Sequence, residues 1–116
     1  MKNSGIIERS VSPYCNPLRI VSKANNEVRI CLDARQLNSV VEDDYESPPL
    51  IHELLQDFHN CKVFLKIDLK DSFWQVPLDE ESRPFTAFLF EGTMYHFIRV
   101  PFGLKSAGSA LIRAFL

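Results

Sequence analysis

No stretch of the 116-residue sequence is apolar for long enough to span a bilayer, and no charged-then-apolar leader opens it. Neither a membrane anchor nor a secretory signal is therefore expected. Cysteine is too sparse for a disulfide framework. Cys15, Cys31 and Cys61 form no CxxC and leave one thiol over under any pairing, which points to a reduced, intracellular compartment. His52, His59 and His96 make no HxxxH and no tight Cys/His cluster, which argues against zinc and leaves them surface or packing roles. A Gly-x-x-x-x-Gly-Lys-Ser/Thr phosphate loop is missing, as are internal repeats and low-complexity tracts.

What is present suits one globular domain. Apolar residues make up 46% and charged residues 24%, the usual balance of a folded chain. A chain of this length buries roughly two-thirds of its unfolded surface, enough for a core. The net charge of −2 is unevenly spread. Residues 1–41 carry six Lys/Arg against three acids, whereas residues 42–57 carry six acids and no Lys/Arg. The basic first third can meet phosphates or can be a solvated charged face; charge alone leaves both open.

Residues 1–13 lack a pattern and read as loose. After Pro17, Leu18–Ser22 and Val28–Leu32 alternate around Lys23-Ala24-Asn25-Asn26-Glu27, and the two asparagines suit a turn that needs left-handed backbone. A β-hairpin is expected, with Lys23, Arg29 and Arg35 as a small cation group. Asp33–Tyr45 reads as an exposed connection. Ser47-Pro48-Pro49 opens a helix, with Ser47 as cap and Leu50, Ile51, Leu54, Leu55 and Phe58 as one apolar face. Asp79–Arg83 reads as a polar turn. Phe85–Phe90 and Met94–Val100 form a second hairpin about Gly92, and a helix opens near Ser106 and runs to Leu116.

The chemistry concentrates in Lys62–Leu78. Val63–Ile67 has the β-branched and aromatic content of a short buried strand, which would deliver Asp68 at its carboxyl end, with Asp71, Phe73 and Trp74 following. A carboxylate at a strand end is a ligand for a hard cation such as Mg²⁺, and an aromatic five residues on can wall what the metal holds. Equally, Asp68 can cap the next turn while Phe73 and Trp74 enter the core. A phosphatase that uses Asp68 as nucleophile fits poorly, because such sites pair aspartates two apart and Asp68 and Asp71 are three apart.

Several ordered segments then carry a resemblance. Gly5-Ile6-Ile7-Glu8 with Ser12-Pro13-Tyr14 and Pro17, and Val28-Arg29-Ile30-Cys31-Leu32-Asp33-Ala34-Arg35-Gln36-Leu37-Asn38, are similar to the lead-in and the R-x-C-V-D-Y-R-x-L-N segment of reverse transcriptases. Ile67-Asp68-Leu69-Lys70-Asp71-Ser72-Phe73-Trp74-Gln75-Val76 resembles their first catalytic motif, L-D-L-x-S-G-F/Y-x-Q-I. Thr86-Ala87-Phe88 matches T-A-F, and Val100-Pro101-Phe102-Gly103-Leu104-Lys105 resembles M-P-F-G-L-x. Over nearly its whole length the chain looks like the fingers and first palm elements of an RNA-directed DNA polymerase of the gypsy retrotransposon and retroviral Pol class.

The resemblance implies an α+β fold, a fingers hairpin plus an incomplete palm, in a single partial domain over residues 1–116 with fingers to about residue 60. It implies Asp68 as a catalytic, metal-binding aspartate, with the Leu69 carbonyl helping to hold a second Mg²⁺. Two ions would activate a primer hydroxyl and neutralise the leaving pyrophosphate. Phe73 matches the aromatic that excludes a ribose 2′ hydroxyl. Lys23 and Arg29 match the fingers cations over the triphosphate, with Asp71 in the same neighbourhood. Phe102 and Gly103 match the loop lining the nucleotide and template site. The implied partners are an RNA or DNA template-primer and dNTP.

There are departures. Gly108 stands where the family has proline, Leu111-Ile112 where it has Phe-Gln, and Asp71 where serine is commoner; Tyr14-Cys15-Asn16 and Ala34 also differ. No Tyr-x-Asp-Asp occurs in the sequence, so the carboxylates that complete the metal site are missing from it. The expectation is a polymerase fragment inactive as an isolated chain, whose open edge at Val63–Ile67 promotes association, aggregation or partial disorder. The alternative is a non-catalytic nucleic-acid-binding or protein-interaction remnant.

Overall fold

The computed structural model describes residues 5–43 and 48–115. Two antiparallel sheets carry the chain. The first has the order β1-β5-β4, from Ile7–Arg9 (β1), Phe88–Phe90 (β4) and Thr93–Phe97 (β5). The second is a hairpin of Leu18–Ser22 (β2) and Val28–Leu32 (β3), in register Leu18 with Leu32 and Ser22 with Val28. Its turn closes with the Lys23 N–H donating to the Glu27 carbonyl at 2.7 Å, and Asn26 takes φ 62°, which asparagine tolerates better than most residues. The expected hairpin forms at the expected residues.

The core lies where the two sheets meet. Leu32, Ala34, Phe88 and Phe97 are buried together, with Ile7, Leu18, Leu37, Tyr95 and Leu104 packed around them. Phe88 stacks on Tyr95 and tilts against Phe97, with ring centroids 5.8 and 5.3 Å apart. Buried Thr86 ties the elements together: its hydroxyl donates to the Arg83 carbonyl at 2.7 Å and accepts from the Phe97 N–H at 3.0 Å. The first of these bonds lies within a short 3-10 helix, Arg83–Thr86, which follows the expected polar turn and takes up the first residues of the expected second hairpin.

Residues 1–13 are not loose throughout. Ile7 pairs with Phe97, Glu8 with His96 and Arg9 with Tyr95, because β5 offers a free edge to a short apolar segment. Asp33–Tyr45 is not a plain loop either. A helical turn, Arg35–Asn38 (α1), forms directly after the hairpin, and Tyr45 lies outside the described residues. The helix expected after Pro49 runs over Ile51–Asp57 (α2) and starts from Leu50 without a side-chain cap; Ser47, the expected cap, lies outside the described residues. Its apolar face does not pack into a core. Leu50, Ile51, Leu55 and Phe58 stay at least half exposed, and its aromatic contact is Phe58 edge-on to Phe64 at 5.4 Å. The last helix, Ala107–Phe115 (α3), follows Ser106, whose carbonyl accepts the Ala110 N–H at 3.0 Å.

The largest departure concerns Val63–Ile67. These residues form no strand, and Val63, Leu65 and Ile67 are 89%, 86% and 74% exposed. A strand needs a neighbour for its N–H and C=O groups, and among the described residues none makes a backbone hydrogen bond to residues 62–69. The radius of gyration reflects this: 17.0 Å, against about 13 Å for a compact domain of similar length.

A cluster of polar side chains ties β1 to β5. His96 Nε2 donates to Glu8 Oε1 at 2.6 Å while its Nδ1 meets the Ser10 hydroxyl at 2.9 Å, and Arg83 lies 3.5 Å from the same carboxylate. The His96 hydrogen bond, helped by the charge of Arg83, holds the Glu8 carboxyl below its ordinary 4.5. A depressed folded-state value stabilises the fold above the unfolded value and loses that contribution as pH falls through the folded one. The thermal midpoint of the wild type should therefore exceed that of E8Q at neutral pH, and the gap should close as pH drops below 4.5, read by circular-dichroism melts.

Candidate nucleotide cleft

Arg29 projects from β3 on the side opposite Ile30 and Leu32, as strand alternation requires. Its guanidinium carbon sits 4.8 Å from the centroid of the Phe102 ring, a cation–π contact that holds a long side chain in one place. Phe73 and Trp74 meet the same ring edge-on, at 5.2 and 5.5 Å. Both come from a second 3-10 helix, Ser72–Gln75, whose entry residue Asp71 is left-handed at φ 48°, ψ 49°. Gln75 braces that turn by donating to the Lys70 carbonyl at 2.6 Å.

These elements enclose a cleft of about 800 Å³. Lys23 and Arg29 come to it from the hairpin; Asp68, Leu69 and Asp71 face them across it; Phe102 forms the floor. Six of the eight sequence-predicted residues thus share one wall-to-wall site. Phe73 and Gly103 stand behind it. Phe73 supports the Phe102 ring, and Gly103 carries the chain past β3. Asn26, Glu27, Lys70, Ser72 and Trp74 also line the cleft and were not singled out by sequence reasoning. The adjacency of Lys70 and Trp74 to Asp68 and Phe73 was the available signal.

Both signs of charge come from each side of the cleft, Glu27 with Lys23 and Arg29, and Lys70 with Asp68 and Asp71. Lys23 already pairs with Glu27 at 3.6 Å. Arg29, among the described residues, has the aromatic ring and no carboxylate partner. Arg35 does not join this group. Its guanidinium grips Asp33 through two bonds, 2.9 and 2.8 Å, and Arg19 stands 3.9 Å from the same carboxylate. Hydrogen bonding from Arg35 accordingly depresses the Asp33 carboxyl, and Asp33 in turn raises Arg35. This bidentate pair takes Arg35 out of the cation group expected from sequence.

Asp68 is exposed at the rim and not in an apolar interior. Asp71, not Asp68, holds the capping position of the following turn, and without a side-chain capping bond. A hard divalent ion takes six or more oxygens. The cleft offers the Asp68 carboxylate, the Asp71 carboxylate and the Leu69 carbonyl. Among the described residues no three His, Cys, Asp or Glu side chains gather as a metal site. This donor set fits a share of one ion and does not fit a pair.

The floor is positioned by backbone. The Leu32 N–H donates to the Phe102 carbonyl at 2.8 Å. Gly103 then turns with φ +111°, where an added Cβ would collide with the Leu32 carbonyl oxygen. From the far side the Asn38 carboxamide donates to the Gly103 carbonyl at 2.9 Å and accepts the Lys105 N–H at 2.8 Å.

With this geometry in view, comparison with known proteins is decisive. The family described as reverse transcriptase (RNA-dependent DNA polymerase) matches residues 21–115, and the chain belongs to it. It is 37% identical to the retrovirus-related Pol polyprotein from transposon gypsy of Drosophila melanogaster, over 95% of this chain and 11% of that protein. The corresponding Pol polyprotein from transposon 297 of the same fly is 36% identical over 97% of this chain and 11% of its own length. The enzymatic polyprotein of Cauliflower mosaic virus (strain D/H) is 38% identical over 93% of this chain and 17% of its own. The chain therefore spans only 11–17% of these relatives. Among solved structures, a foamy viral protease-reverse transcriptase in complex with double-stranded DNA superposes with a TM-score of 0.79 at 24% identity, over 97% of this chain and 20% of that one. The same enzyme in complex with an RNA/DNA hybrid gives 0.73 at 23%, over 95% and 15%. The fold is thus the α+β fingers and partial palm of a reverse transcriptase.

Alanine at Gly103 would meet both the unfavourable φ and the Leu32 backbone. Left-handed strain alone costs roughly 1–3 kcal/mol. G103A should lower stability by at least about 2 kcal/mol and blue-shift or broaden Trp74 emission as the floor moves, read by chemical denaturation and fluorescence.

Proposed function

We propose that the cleft is the triphosphate end of a deoxynucleotide site, in a chain that forms part of an RNA-directed DNA polymerase. The observation that carries this reading is the meeting of Lys23 and Arg29 with Asp68 and Asp71 across one cleft floored by Phe102. A planar guanidinium on an aromatic ring keeps its N–H groups free for phosphate oxygens, and Lys23 adds a point charge once Glu27 is displaced. Asp68 and the Leu69 carbonyl are the donors that would hold a share of the divalent ions this family generally uses. Phe73, braced behind Phe102, is the residue assigned to sense the sugar 2′ position, and Gly103 lets the lining loop approach the nucleotide.

Because the donor set falls short of two ions, binding and chemistry separate. The described residues recognise a triphosphate and part of its metal; they do not complete a nucleotidyl-transfer site. Residues 1–116 are read as one partial domain, the hairpin half acting as fingers and the half from residue 61 as incomplete palm. The template-primer is the macromolecular partner assigned to this surface. A second copy of the chain is the partner for the exposed apolar residues at Val63–Ile67, whose backbone groups are free to pair. No helix among the described residues is long and apolar enough to cross a membrane.

Titration with dNTP, followed through the single tryptophan Trp74, tests the assignment. R29Q should weaken binding by roughly tenfold or more, the loss of a charge-assisted hydrogen bond. D68N should bind triphosphate more tightly in EDTA, because a repelling carboxylate is gone, yet lose the gain that Mg²⁺ gives the wild type. Equal Mg²⁺ gains in both proteins would remove Asp68 from the metal. Salt-dependent primer–template binding without nucleotide incorporation is the expected behaviour of this chain alone.

A further inference from the structure

We propose that Asn38 is the positioning residue of the cleft, setting the Phe102 ring on which Arg29 rests. The inference rests on the phosphate-site reading above for its consequence, but not for its geometry. Asn38 does not line the cleft; it lies behind the floor, at the end of α1. Its backbone N–H donates to the carbonyl of buried Ala34 at 2.6 Å, which anchors the residue to the core.

The side chain then works as a two-sided clasp. Nδ2 donates to the Gly103 carbonyl and Oδ1 accepts the Lys105 N–H, at 2.9 and 2.8 Å. The partners fix which way the amide faces, since a carbonyl only accepts and an N–H only donates. Asparagine is the residue that offers both roles on a stem this short. Aspartate would set oxygen against the Gly103 carbonyl, and leucine would fill the volume with neither bond.

The clasp is needed because Gly103 has no side chain and sits at φ +111°, a conformation that does not hold itself. The Phe102 carbonyl is pinned by the Leu32 N–H on one side, and Asn38 pins the next two peptides on the other. Between these fixed points lies Gly103, directly after Phe102, whose ring meets Arg29, Phe73 and Trp74 together. A second bond set, Lys105 Nζ to the Val41 carbonyl at 2.9 Å and to Asp43 at 2.7 Å, closes the loop further along and leaves the ring to Asn38.

Acrylamide quenching of Trp74 in the full chain, with inorganic tripolyphosphate as the binding probe, tests this. In N38A and in the volume-matched N38L, Trp74 should become more quenchable with the far-ultraviolet dichroism retained, and tripolyphosphate affinity should fall by roughly tenfold. In an F102L background, N38L should cost no further affinity, because its effect runs through the ring. Folded variants with wild-type quenching, or a loss that adds in full to that of F102L, would overturn the proposal. Should the wild type itself ignore tripolyphosphate, the phosphate reading fails, and the quenching comparison alone decides the role of Asn38. Should N38A not fold, N38L and the F102L pair carry the decision.

Discussion

One hydrogen bond links the two halves of this chain where it matters most: the Leu32 N–H to the Phe102 carbonyl, 2.8 Å. Leu32 is 2% exposed and closes β3 inside the core. Phe102 begins the loop that floors the cleft. Because the donor belongs to the buried end of the hairpin, the hairpin and the floor are joined by a direct backbone link. The Asp33 N–H to Pro17 carbonyl bond, also 2.8 Å, steadies the same corner. A site assembled from residues dozens of positions apart is thereby referred to one rigid point in the core.

From that point the cleft acquires its polarity. The hairpin brings Lys23 and Arg29, with Glu27 beside them, and the segment after residue 67 brings Asp68 and Asp71, with Lys70 between them. The chain nevertheless corresponds to only 11–17% of the polyproteins it is related to. The oxygen groups of the cleft show the same partiality on chemical grounds, independent of length: one or two carboxylates and a carbonyl cannot surround two hard cations.

Much of this was readable from residue order. The β2–β3 hairpin announced itself through alternation and its asparagine turn. The conjunction of Ile67-Asp68-Leu69 with Pro101-Phe102-Gly103 made the family legible. What escaped sequence reading depended on neighbours. β1 exists because β5 has an edge to fill, which no local pattern reveals. The apolar face of α2 and the residues Val63–Ile67 have every local mark of buried elements, and remain exposed because burial is a property of a partner. Arg35 was expected in a cation group with Lys23 and Arg29, but Asp33, two residues away, takes both arms of its guanidinium. Asn38 appeared only as the last residue of a matched segment, because the two backbone groups it meets lie on a distant loop.

The bare stretch before Asp68 has an energetic corollary. Fixing one residue of backbone costs roughly 1–2 kcal/mol, and residues 62–69 take no backbone hydrogen bonds from the described chain to offset it. Whatever seats Asp68 firmly must also immobilise this approach to it. A ligand held by Asp68 would order this approach at the same time, so part of its intrinsic affinity would go to conformational entropy, and less of it where a neighbouring strand had already paired the segment.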